Sequence, residues 1–319
     1  MNGETLLSIG FAVVVLIMMA VDLGVFNRKA HEIGLKEALL WSIVWTVAAL
    51  LFNGAIVLYD GPTHGLEFFT GYFIERALSF DNLFVFVLIF SYFGLPNRFH
   101  HRVLFWGIVG ALITRALFIA AGVALITRFE WVLYFFGAVL IYSGWKMLRG
   151  DSVEVHPDKN LVIRAARKIF PVSTDTSTGK FLMRRNGILY ITPIFLVLIT
   201  IETTDIVFAV DSIPAVFGVT RDPFIAFTSN IFAILGLRAS YFLLAGILRT
   251  FKYLSHGLSV VLIFIGLKML VADFLRIPIG LSLLVVTVVL AVAVIASLVS
   301  ESRSSRDPRH TKDSPRPLS

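Results

Sequence analysis

The side chains of this sequence best able to do chemistry are carboxylates in places where a carboxylate is costly. The stretch IERALSFDNLFVFVLIF, 74–90, is apolar enough to cross a bilayer, yet it carries Glu75, Arg76, Asp81 and Asn82. A second stretch, ETTDIVFAVDSIPAVF at 202–217, repeats the feature with Glu202, Asp205, Asp211 and Ser212. A carboxylate at the centre of a membrane helix costs roughly 2.5–3.5 kcal/mol, so acids kept there point to a function. With Asp22, six acids fall within apolar segments, and Arg76, Arg115 and Arg238 lie at similar depth. Lys146 and Lys268 sit near segment ends and can snorkel to the interface. Three acids therefore lack an intramembrane cation. Either some are protonated or a cation completes the balance, and a divalent ion exchanging with protons suits that excess.

Carboxylates, the Asn82 amide and the hydroxyls of Thr203, Thr204 and Ser212 are hard oxygen donors, which suit Mn²⁺, Mg²⁺ or Ca²⁺. No histidine falls in the core of an apolar segment and the chain has no cysteine, so copper and zinc are disfavoured. The spacing adds a geometric condition. Glu75 and Asp81 are six residues apart, as are Asp205 and Asp211. On a straight helix six residues leave two side chains about 120° apart. Local unwinding at 79–82 and 209–214, aided by Pro214, would aim both acids at one ion; the alternative is two separate sites. Arg115 and Arg238 read equally well as structural ion-pair partners of these acids or as gating groups. Asn53 and Asn230 read as polar glue between helices rather than as ligands. Asp22, near the end of its segment, reads as hydrated.

The elements that must position these groups follow from composition. The chain of 319 residues is 57% hydrophobic and only 15% charged, with a mean hydropathy of +0.84. Soluble domains carry about 25% charged residues, so the class is an all-α integral membrane protein. Nine spans are expected near 6–26, 38–59, 67–93, 103–127, 131–148, 188–217, 223–247, 257–274 and 278–299, with breakers such as DGPTHG, GLPNR and TRDP between them. Lysines and arginines outside the spans divide twenty to three between the two sides. That asymmetry puts the N-terminus outside and the C-terminus in the cytoplasm. The first apolar run lacks a basic stretch before it and has Arg28 and Lys29 after it, so it reads as an uncleaved span.

Residues 1–300 thus form a single polytopic domain, and 301–319 a disordered cytoplasmic tail. The cytoplasmic loop 149–187 contains NLVIRAARKIFP, which either lies on the anionic inner leaflet or is a solvated linker. The net charge of +7 falls in the gaps between spans, so topology explains it and no nucleic-acid partner is implied. No phosphate loop, nucleophile elbow or HExxH motif occurs. The chain therefore reads as a non-enzyme without a tightly bound organic cofactor.

AVLIYSGWKMLRGD at 138–151 matches VVLIFIGLKMLVAD at 260–273, RALF at 115–118 matches RASY at 238–241, and ERALSFDN at 75–82 matches DIVFAVDS at 205–212. Three spans are duplicated, in copies near 67–151 and 188–273. Because the copies start three spans apart, they cross the membrane in opposite senses. Inverted repeats of this kind build secondary transporters, with the substrate near the midplane.

ERALSFDNLFVF, ETTDIVFAVDSIPAVF, TSNIFAILGLRASYFLLAG and VVLIFIGLKMLVADF closely resemble the TerC family of integral membrane proteins, and with VDLGVFNRK its Alx-type members. The resemblance covers nearly all of 6–299. It implies a bacterial cytoplasmic-membrane protein of the lysine-exporter superfamily that exports Mn²⁺, with Glu75, Asp81, Asn82, Glu202, Asp205 and Asp211 as metal-handling positions. The family takes its name from tellurium resistance, but an oxyanion would prefer arginines, so direct tellurite handling ranks lowest. The rival reading is a non-transporting membrane factor that assists insertion or metalation of other proteins; a Ca²⁺ transporter is a further alternative. The lipid bilayer and the ion are the partners implied. A homo-oligomer or other membrane proteins stay open.

Overall fold

The computed structural model describes residues 3–26, 34–150, 161–173, 179–185, 187–245, 253–275 and 277–304. Apolar chain in lipid must satisfy its own backbone, and helices do so within one segment. Among the described residues these are α1 (Gly3–Phe26), α2 (Leu35–Tyr59), α3 (Pro62–Tyr92), α4 (Asn97–Arg128), α5 (Val132–Leu148), α6 (Leu161–Ile169), α7 (Pro193–Phe217), α8 (Pro223–Leu235), α9 (Leu237–Ala245), α10 (Leu254–Leu270) and α11 (Ile279–Ser304). Helices α2, α4, α7 and most of α11 are long and apolar enough to cross a membrane. The pair α8–α9, bent by 41° at its break, makes a fifth if taken as one span. Shorter apolar helices are α5, α10 and Leu6–Val21 of α1. Acid-bearing α3 is 31 residues long.

Helix starts follow local chemistry. Gly61, at φ +98°, turns the chain into Pro62. Thr192 and Asp222 accept hydrogen bonds from the backbone of Phe195 and Ile225, each just before a proline in the first helical turn. Proline fits there because that N–H has no helical partner. This corrects the sixth segment. Residues 188–191 are not helical: β2 (Ile188–Ile191) pairs antiparallel with β1 (Leu182–Arg185), and α7 begins only at Pro193. The all-α expectation thus gains a small hairpin. The tail expectation changes too, since α11 continues to Ser304; residues 305–319 lie outside the described residues.

Helix α3 packs on α8 and α7 packs on α4, while α3 and α7 touch each other. Beside them α5 and α10 cross closely on glycine. A methyl on Gly266 would lie 2.6 Å from the Gly137 carbonyl oxygen, and one on Gly144 would lie 2.7 Å from the Ser259 carbonyl oxygen. Position 137 is to 259 as 144 is to 266, so the offset between the two matched motifs exchanges these contacts.

Candidate functional site

Arg115 of α4 reaches into the seam between α3 and α7 and is almost wholly buried. Its Nη1 donates to Glu75 Oε1 at 2.6 Å and to the Ser212 hydroxyl. Nη2 and Nε face the two oxygens of Asp205, each at 3.5 Å. Three helices thus converge on one guanidinium through two buried carboxylates. The other Glu75 oxygen, Oε2, is buried without a hydrogen-bond partner. Glu202 lies one turn before Asp205, near enough for the two carboxylates to repel. A methyl on Gly110 of α4 would fall 2.1 Å from the Glu202 carboxylate, so the glycine makes the room this acid occupies.

The other two acids go elsewhere. Asp81 accepts from the Ser255 hydroxyl of α10 at 2.9 Å, and Asp211 accepts from the Ser143 hydroxyl of α5 at 2.6 Å. Lys146 is within electrostatic range of Asp211. Unwinding at 79–82 and 209–214 does not occur: α3 and α7 are helical throughout. Ser79 donates to the Glu75 carbonyl at 2.7 Å, Thr203 to Ile199 at 2.8 Å and Thr204 to Thr200 at 2.7 Å. The two helices stay continuous, and 120° of helical rotation separates the acids instead. The seven metal positions expected from sequence therefore do not converge. Glu75, Asp205 and Ser212 meet at Arg115, with Glu202 alongside; Asp81 and Asp211 point to α10 and α5. Asn82 is buried on α3. Among the described residues no three histidine, aspartate or glutamate side chains form a ready metal cage.

Of the accessory positions, Arg115 is the ion-pair centre and Arg238 is buried at the start of α9. Both amide atoms of Asn230 and Oδ1 of Asn53 are buried without a hydrogen-bond partner, so Asn230 does not supply the inter-helix bond expected of it. Asp22 belongs to α1, and its side chain lies outside the described residues. Sequence reading missed Ser143, Ser255 and Gly110, none of which carries a signal alone. It also missed the task of Arg76. That guanidinium fills the notch at the α8–α9 break: a methyl on Gly236 would lie 2.2 Å from Nη1, which donates to the Ala233 carbonyl at 3.3 Å. The last carbonyls of a helix have no internal partner and carry partial negative charge. A cation at the end of α8 meets both needs.

Long apolar helices enclosing an ionisable cluster define a multi-pass integral membrane protein. The model for "Integral membrane protein TerC family" matches residues 60–306, and the chain belongs to that family. A Myxococcus xanthus protein described as "Uncharacterized membrane protein STKORF319" is 47% identical over 307 residues, 96% of this chain and 95% of its own length. Proteins described as "Putative membrane-bound redox modulator Alx" are similar as well. The Salmonella typhi one is 46% identical over 314 residues, 95% of this chain and 98% of its own. The Escherichia coli K12 one is 48% identical over 293 residues, 89% and 91%. No solved structure matches the chain.

Proposed function

We propose that the protein exports a divalent cation, Mn²⁺ foremost, across the bacterial cytoplasmic membrane, with Glu75, Asp205 and Glu202 as the carboxylates that receive it. The observation carrying this reading is the Arg115 centre, where a guanidinium stands between two buried carboxylates and leaves Glu75 Oε2 without a partner. Such a centre already accepts positive charge, and an arriving ion would displace Arg115 rather than enter an empty cage. Asp81 and Asp211 would take the ion or protons on either side of that step. The exchange of glycine contacts between α5 and α10 supports two inverted three-helix repeats, within the nine spans expected from sequence, whose rocking gives alternating access. A redox effect like that named for the relatives would run through the ion carried, because thiol chemistry needs a cysteine and the chain has none.

The absence of a ready cage among the described residues favours one other reading, a non-transporting factor in which the Arg115 centre is structural glue. Metal flux into proteoliposomes separates the two. The parent chain should move Mn²⁺, and Glu75→Gln, Asp205→Asn, Asp81→Asn and Asp211→Asn should each abolish flux while the folded protein is recovered. No flux of Mn²⁺, Ca²⁺ or Mg²⁺ through folded parent protein would leave the glue reading standing.

A further inference from the structure

The described residues between α5 and α7, helix α6 and the β1–β2 hairpin, form a built platform rather than a plain linker. Thr192 donates to the Lys180 carbonyl at 2.7 Å, tying the hairpin to the start of α7. Phe181 lies edge-on to Trp106 and under the Arg102 guanidinium, both on α4. Ile163 of α6 is fully buried against Ile191 and Leu196. The platform therefore rests on the starts of α4 and α7, the two helices that bring Arg115 to Asp205.

Its outer surface joins two properties. Val162, Ala165 and Ile169 fall within about 60° of one another around α6, while Arg164, Arg167 and Lys168 fall on the other side. Ile169 is 71% exposed and Ile188 of the hairpin 53%, and Leu182 and Leu189 are exposed beside them. Lys180, Arg184 and Arg185 add to the charge, and no acid occurs among the described residues of 161–191. Exposed apolar side chains outside the spans, beside charged side chains that are all basic among the described residues, match an interfacial element on anionic lipid. An acidic protein partner would answer the charge but not the need to cover the α6 stripe beside the bilayer from which α4 and α7 emerge.

We infer that α6 and the β1–β2 hairpin form an anionic-phospholipid docking surface, with Ile169, Leu182 and Ile188 inserted among the headgroups and the basic side chains bound to lipid phosphates. This is independent of what the protein transports. The cysteine-free chain allows a single environment-sensitive fluorophore at Ile169→Cys, and separately at Leu182→Cys, in full-length protein in nanodiscs. In discs containing phosphatidylglycerol the emission should shift to the blue and rise about two-fold or more over neutral phosphatidylcholine discs, as for a label leaving water. High salt or Arg164→Gln/Arg167→Gln/Lys168→Gln should reverse the change. Equal emission at both positions in neutral and anionic discs, or a shift that the triple substitution leaves intact, would overturn the inference.

Discussion

Glu75 and Asp205 face a guanidinium, whereas Asp81 and Asp211, six residues further along the same two helices, are hydrogen-bonded to serine hydroxyls, with Lys146 at longer range from Asp211. The difference is one of rotation. On continuous helices the first pair turns toward α4 and the second toward α5 and α10, so acids of like sequence context meet unlike partners. A charge pair in low dielectric can hold both members ionised, while a lone serine offsets little of the cost of burying a carboxylate. The Arg115 centre should therefore matter more for folding than Asp81 and Asp211 do.

The largest effect that would break this contrast is at Arg115. Arg115→Met leaves two buried carboxylates without their cation and should cost about 3–5 kcal/mol, read as a lowered unfolding midpoint in detergent. Adding Glu75→Gln to that background should recover part of the loss. A single mutant as stable as the parent would show that the guanidinium does not hold the three helices together.

Next in size is the crossing that carries Ser143 and Ser255. Gly266→Ala and Gly144→Ala each press a methyl on backbone oxygen, which cannot swing away, and each should cost about 1–3 kcal/mol. Gly54→Ala, with nothing within 4 Å of the added methyl, should be neutral or gain up to about 1 kcal/mol from helix propensity. If only one of the two crossing mutants is destabilised, the near-symmetry of the α5–α10 contact fails. Smaller still, Ser255→Ala removes one hydrogen bond to Asp81 and should cost about 1–2 kcal/mol. Asp81→Asn in the same background should restore most of it, since a neutral amide is cheaper to leave in that place.

Much of this was legible in the sequence. Most apolar runs became helices, because lipid leaves the backbone no alternative, though the expected seventh span breaks at Gly236 and 188–191 pairs as a strand; the repeated acids drew attention to α3 and α7. Which acid meets which partner was not legible. That depends on helix rotation and on residues far away in sequence, such as Ser255 for Asp81, and an isolated serine in an apolar run carries no signal. The misplaced start of α7 had an available clue: Pro193 after Thr192 marks a first helical turn, whereas the run ILYI at 188–191 read as the start of the span. Pro214 misled in the opposite sense. It lies in the last turn of α7, where the helix can absorb it without unwinding.

The break between α8 and α9 gives the finest test, because it sets a cation against a helix end instead of a carboxylate. Gly236→Ala should cost about 1 kcal/mol while Arg76 is present, since the methyl takes the place of the guanidinium and loosens its bond to the Ala233 carbonyl. In an Arg76→Met background the same substitution should be neutral or stabilising, because alanine then brings only its helix propensity. The two unfolding midpoints, with the single mutants, close a double-mutant cycle whose coupling should be about 1 kcal/mol. A coupling near zero would mean that the 41° bend belongs to glycine alone and that Arg76 merely occupies the space the bend leaves.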